Sequence, residues 1–349
     1  MINYKRVVVN KIILKRCLTD NEDISKSLSR FIDNSIEARK GITTSENPCE
    51  VSINIFQGLI AISDNSGGID SKITEEDIFR IGIDAGNEIF GLGMKKSLFR
   101  LGNKMDIISN RRECSRRFFL DINFGGEELI SQSEDINYNP KIYEGTSIFI
   151  SDLDDKINKE IVGISYIDYV ILKLGRMYSK FIEKGELVIY INDRKVRVIN
   201  IKGKKLGSCK VLGDYEVDLY KGSKGEVSGI DIFINNYMIY DREKGKKEVK
   251  WSSLTEQKHT YRDCIVEINY HGERSRFIED KEALFAEVIK FIKYNKVHFK
   301  SKTITIQYEM DLDKVDALKE YYDEKTAKAI GIMAFDKLYI EFLYNNMRN

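Results

Sequence analysis

Cysteine is sparse and scattered in this chain: Cys17, Cys49, Cys114, Cys209 and Cys264 are odd in number and never fall into a CxxC pair. That argues against a disulfide framework and against a zinc site, and it fits a reducing cytoplasm. An excess of either charge is also missing. With 56 Lys and Arg against 55 Asp and Glu the net charge is +1, so neither a globally basic nucleic-acid binder nor an acidic disordered tail is expected, and any such partner would need a local patch. Long apolar runs are absent from the start: Met1 to Cys17 interleaves Lys5, Arg6, Lys11, Lys15 and Arg16, far from the roughly 18 uncharged residues of a membrane span. No signal peptide, anchor or membrane partner is expected. The three histidines, His259, His271 and His298, are scattered, and spacing identifies no catalytic partner for any of them. No internal repeat or low-complexity segment is found.

What is present reads as two α+β domains and a tail, since 349 residues exceed the usual single core. Ile24, Leu28, Phe31, Ile32 and Ile36 recur at helical spacing, predicting a helix over Asp20 to Arg39 with Thr19 and Glu22 as a capping box. Val51, Ile53 and Ile55 alternate as in a strand, and a second strand from Leu59 to Ile62 runs into Asp64. A helical turn near 75–80 precedes a glycine-bearing stretch, and the segment from Gly91 opens a helix through Leu101. Strands are predicted at 105–109, 117–124 and 146–151. A helix follows over 164–182, stopped by Gly185. Strand-like runs at 187–191, 195–201, 230–234 and 264–270, then a helix over 281–293, make the second domain. The predicted divisions are 1–160, 161–310 and 311–349, the last a helical tail.

Three stretches carry chemistry. Asn34 sits mid-helix, where an amide oxygen can complete an octahedral magnesium shell made otherwise of phosphate oxygens and water; its other reading is a hydrogen bond to a neighbouring loop. Asp64 ends a buried strand, where a carboxylate needs a donor, and the exocyclic amine of adenine is one. Gly67 and Gly68 would let a flat base approach the backbone, or would simply form a polar turn. Gly91 and Gly93 precede a helix whose free amides and dipole attract phosphate, with Lys95 adding a point charge; a glycine turn before an amphipathic helix is the alternative.

Taken in order, Arg30-Phe-Ile-Asp-Asn34-Ser-Ile-Glu-Ala38, Asp64-Asn-Ser-Gly-Gly68-Ile69 and Gly91-Leu92-Gly93-Met94-Lys95-Lys-Ser97 resemble the N-box, the DNGxG-type box and the glycine lid box of the GHKL superfamily of gyrase B, heat-shock chaperones, histidine kinases and MutL. Gly145-Thr146-Ser147 resembles that superfamily's later Gly-Thr pair. The run through Arg100-Leu101-Gly102 is most similar in style to the MORC-like branch. The resemblance implies a Bergerat-type α/β sandwich that binds ATP and Mg²⁺, followed by a smaller α+β transducer-like domain. It implies ATP contacts at Asn34, Asp64, Gly68, Ile69, Gly91, Leu92, Gly93, Met94, Lys95 and Thr146, with Asn34 as metal ligand. Tyr294-Asn295-Lys296-Val297-His298-Phe299 looks like the transducer segment whose lysine senses the terminal phosphate, which assigns that role to Lys296. A lid over 83–90 would order on binding, and a homodimer and a DNA or protein partner are implied.

One departure matters. The family's general base is a glutamate four residues before the metal asparagine, and this chain has Arg30 there. Arginine stays protonated and cannot accept the proton, so ATP binding with slow or no hydrolysis is expected, in which case the chain would be a binding module. Arg30 could grip triphosphate oxygens or pair with Glu22, Asp23, Asp33 or Glu37. A chaperone is disfavoured by the lack of a charged linker, and a histidine kinase by the lack of a phosphoacceptor helix. Arg111, Arg112, Arg116 and Arg117, together with Lys202, Lys204, Lys205 and Lys244, Lys246, Lys247, form local basic clusters that would meet phosphate backbone or simply face solvent. The segment 303–308 and the helices after it faintly resemble a ribbon-helix-helix, and read better as a strand and helix packed on the second domain.

Overall fold

The computed structural model describes residues 23–74, 78, 83–84, 89–90, 92–123, 131–161, 163–255, 261–295 and 299, all within one compact unit, Met1–Phe299. The expected tail, the N-terminal segment with Thr19 and Glu22, most of the turn near 75–80, Gly91, Lys296 and His298 lie outside the described residues.

The chain begins with α1 (Ile24–Ala38), capped four residues later than the sequence reading put it, by Asp23, whose carboxylate accepts from the Ser25 amide at 3.1 Å. Ile24, Leu28, Phe31 and Ile32 form its buried stripe, and burying one such side chain is worth about 1.5–3 kcal/mol. There follow β1 (Cys49–Phe56), β2 (Leu59–Asp64), a two-residue pair β3 (Ile83–Asp84) and β4 (Ile89–Phe90) inside the expected lid, α2 (Leu92–Leu101), β5 (Gly102–Asn110), β6 (Arg116–Asp121), β7 (Ser131–Asp135) and β8 (Gly145–Leu153). After α3 (Asp155–Glu160), the helix expected over 164–182 is two, α4 (Ile164–Met177) and α5 (Ser179–Glu183), broken at Tyr178. Next come β9 (Leu187–Ile191), β10 (Arg194–Lys195), β11 (Gly203–Val211), β12 (Tyr215–Gly222), β13 (Gly229–Ile234), β14 (Tyr237–Glu243), a 3₁₀ turn at Lys247–Val249, α6 (Ser252–Thr255), β15 (Cys264–Tyr270) and α7 (Arg274–Tyr294).

The fold is α+β, with a mixed sheet of eight strands ordered β10-β9-β1-β2-β8-β5-β6-β7 and a second of five ordered β11-β12-β15-β13-β14. β1 is antiparallel to β2 but parallel to β9, with Val51 opposite Ile189. The expected division at residue 160 therefore does not separate the two cores. Val170, Leu174, Tyr178, Phe181, Leu187 and Val196 belong to the same apolar cluster as α1, β1 and β2, because β9 covers the edge that β1 would otherwise present. The second core packs Val217, Leu219, Ile232 and Val266 against Leu284, Phe285 and Val288 of α7. α7 begins seven residues before the expected start, and of the strand expected over 195–201 only Lys195 falls in β10. β7 was unread because its residues are almost all exposed and polar.

α4 and α5 carry both cores. Their apolar side faces the first sheet, while Lys173, Arg176 and Lys180 reach Asp241, Asp231 and Glu267 of the second sheet at 2.6–2.9 Å. Asp231, 2 % exposed, receives Arg176 on both oxygens at 2.9 and 2.8 Å and the Arg242 guanidinium at 2.9 Å. No helix among the described residues is long and apolar enough to cross a membrane.

Candidate functional site

The first sheet, α1, the loop after β2 and the start of α2 line a cavity of about 1080 Å³, at the upper end of the size of ligand sites. The arrangement follows from helical spacing: Arg30, Asn34 and Ala38 recur every four residues on the side of α1 turned to the cavity, while Phe31 and Ser35 approach its floor. Asp64, Thr146 and Ile148 come from adjacent strands, since β2 pairs with β8 through Ser63 opposite Ser147. Gly68, Ile69, Gly93 and Met94 complete the wall. Residues separated by up to 118 positions in sequence are thereby brought to one site.

Asp64 is its best-defined group. Its Oδ1 accepts from the Ser66 amide at 2.9 Å, the Ser66 hydroxyl at 2.6 Å and the Thr146 amide at 2.9 Å. Among the described residues its Oδ2 accepts only from the Ser35 hydroxyl, at 2.7 Å. A carboxylate offers about four lone-pair positions, so Oδ1 is filled and Oδ2 keeps capacity for one more donor. Ser35 also lies 3.1 Å from the Phe31 carbonyl; with one proton to give, it is drawn to the shorter, charge-assisted bond. The role of Ser35 was missed in the sequence, although it directly follows Asn34.

Glycine is required at two places. A Cβ on Gly145 would sit 1.9 Å from the Asp64 carbonyl oxygen, and Gly68, at φ +73°, would place one 2.9 Å from Ser109 Oγ. That hydroxyl accepts from the Ile69 amide at 2.8 Å, fixing the loop over the cavity. Gly145→Ala is expected to lower stability by about 1–3 kcal/mol and to disturb the Asp64 cluster, read as a fall in urea midpoint together with weaker ligand binding.

Asn34 is exposed and its amide makes no hydrogen bond among the described residues, so the loop contact considered for it is not seen there. A Cβ on Gly93 would lie 3.4 Å from Arg30 Nη1, which puts the guanidinium beside the start of α2. Neither Leu92 nor Lys95 has a described side chain. Among the described residues no group of three or more His, Cys, Asp or Glu is placed to hold a metal, so a divalent ion there would need oxygens from its ligand.

Asp33, next to Asn34, behaves differently from an ordinary carboxylate. Tyr178 Oη lies 2.6 Å from Asp33 Oδ1 and 2.7 Å from the Ser29 carbonyl. A phenol has one proton, so both contacts are satisfied together only when Asp33 is protonated and donates to the phenol. Burial raises the Asp33 carboxyl, against the opposing Tyr178 hydrogen bond and Arg30 charge, and burial likewise pushes the Tyr178 phenol well up. Nothing in the local sequence links these two residues.

The arginine cluster splits. Arg116 donates to the Ile73 and Asp70 carbonyls at 2.9 and 2.8 Å, and Arg117 grips both oxygens of Asp106 at 2.8 and 2.6 Å. These two are consumed by the fold, whereas Arg111 and Arg112 line the cavity mouth. No protein-family model matches this chain and no curated protein matches it.

Proposed function

We propose that the cavity binds ATP with Mg²⁺ and that the chain is a cytoplasmic GHKL-type switch with a Bergerat-type first module and a transducer-like second one. The observation that carries this is Asp64 Oδ2, a carboxylate oxygen held in place by a cage of donors and left with one acceptor position facing the cavity. An adenine amine matches that position, and Gly68, packed against Ser109, holds the loop beside it. In this reading Asn34 would hold the ion, whose chemistry is to bridge and neutralise phosphate oxygens. Arg30, beside Gly93, adds a cation that pairs with the triphosphate. Thr146 orients Asp64 through its amide. Lys296 keeps its proposed part as phosphate sensor.

Binding would shift the balance between two arrangements of the molecule by its differential affinity for them. Closure of a homodimer and action on DNA or a protein partner are the proposed outputs. The second reading, a binding module that does not hydrolyse its nucleotide, is favoured by Arg30 itself, since a guanidinium four residues before Asn34 cannot take a proton from water.

Calorimetry with ATP and Mg²⁺ tests the proposal. The unaltered chain is expected to release heat on binding and to melt higher with ATP and Mg²⁺ than with ADP. Asp64→Asn turns an amide donor toward the base amine or the caging donors, and is expected to weaken binding by about 10- to 150-fold. No heat from the parent chain, or an Asp64→Asn variant indistinguishable from it, would end this reading.

A further inference from the structure

The lysines of the second sheet are set at one end of it. β11 starts, β12 ends, β15 starts, β13 starts and β14 ends on the same side, as the pairings Gly203 with Gly222, Lys221 with Cys264, Gly229 with Ile265 and Ile230 with Glu243 require. Two lysine clusters some 40 residues apart in sequence, Lys202 with Lys204 and Lys244 with Lys246 and Lys247, thus share one end, joined by Lys221 and Lys224. With strands ~4.8 Å apart, this row is about 20 Å long. At the opposite end lie Asp214, Asn235 and Asn236 in the turns, and Lys210 there is paired with Glu216 at 3.5 Å.

The carboxylates at the basic end are already engaged. Glu226 pairs with Arg242 at 2.9 Å, Asp263 with Arg262 at 3.1 Å, and Glu243 accepts the Gly245 and Lys246 amides at 2.7 and 3.1 Å. Lys202, Lys204, Lys224 and Lys247 are exposed, and none forms an ion pair among the described residues. Lys204 stands directly opposite Lys221 in the ladder, so that two positive side chains share this rung.

We propose that this end of the second sheet docks the phosphate backbone of a nucleic-acid duplex. Lysines are point charges without arginine's planar fork, so the contact is to phosphate and independent of sequence. Single strands need a succession of ring faces to stack on. Here Lys246 Nζ covers the Tyr240 ring at 3.9 Å, and Tyr261 and Trp251 are buried; Tyr294, closing α7, is one exposed ring rather than a row. The surface gives the DNA arm of the proposed function its location, but it rests on the second sheet alone and does not require nucleotide in the cavity.

The test is polarisation of a labelled mixed-sequence DNA duplex titrated with the full chain, without nucleotide, between ~50 and ~200 mM salt. Binding is expected to fall steeply with salt. Lys204→Ala/Lys224→Ala/Lys247→Ala is expected to cut affinity tenfold or more and to reduce the salt slope by about 2–3, at about 0.9 per lost phosphate contact, with an unchanged melting temperature. Lys184→Ala/Lys210→Ala, at the opposite end, should leave binding unaltered. An RNA duplex bound equally well keeps the proposal; a single strand or polyglutamate bound tenfold tighter, no binding at low salt, or equal losses in both variants would overturn it. Asp64→Asn separates this from the nucleotide reading, since it should spare duplex binding while weakening ATP.

Discussion

Arg30→Glu is expected to raise single-turnover ATP hydrolysis by about 10²- to 10⁴-fold, from a parent rate no faster than buffer. The position lies one helical turn before Asn34, on the side of α1 that faces the cavity and against Gly93 at the start of α2. A carboxylate there would meet a water near the outer phosphate and accept its proton, which a guanidinium cannot do. The same change removes a cation from the phosphate end, so binding is expected to weaken as turnover appears. Arg30→Gln separates the two effects: it should lose grip without gaining hydrolysis. If Arg30→Glu binds ATP and still fails to hydrolyse it, the assignment of the base position is wrong while the site itself stands.

Asp231→Ala should cost about 3–5 kcal/mol of stability, measured as a drop in urea midpoint at constant slope. Asp231 is the shared counter-ion of Arg176 and Arg242, whose side chains are 19 % and 6 % exposed. Removing it leaves Arg176 with Asp241 and Arg242 with Glu226 but takes away the buried carboxylate that the two guanidiniums share. Arg176 lies on α4, whose other side packs into the first core, so the loss is also expected to loosen the hold of the second sheet on the first. A change below about 1 kcal/mol, the value of an exposed pair, would show that water reaches these groups.

The parts of the site that were readable are those written in continuous segments. Asn34, Asp64, Gly68, Gly93 and Thr146 each announced a local backbone geometry; the pairing of β2 with β8 brings Asp64 and Thr146 together, and α1 and the start of α2 bring Asn34 and Gly93 to the same cavity. Contacts between distant side chains left no such trace. Ser35 meets Asp64 across 29 residues and Tyr178 meets Asp33 across 145, and neither pair has a periodicity or spacing to betray it. Likewise α1, β1 and the α7 core were visible as apolar periodicity, whereas β7 had none to show. The lysine clusters were plain as composition, but their convergence depends on strand order, which no short window of sequence contains. Asp231 went unread within the strand expected over 230–234, because its partners Arg176 and Arg242 come from other elements.

The parallel pairing of β1 with β9 has a consequence for how the molecule is made. The strand carrying Val51, Ile53 and Ile55 is synthesised well before its outer neighbour, whose paired residues lie some 138 residues further along the chain. Until that neighbour is synthesised, an apolar strand has an open rim able to recruit another polypeptide. Translation speed across the intervening stretch, and chaperone cover during it, thus bear on yield more than the final stability does.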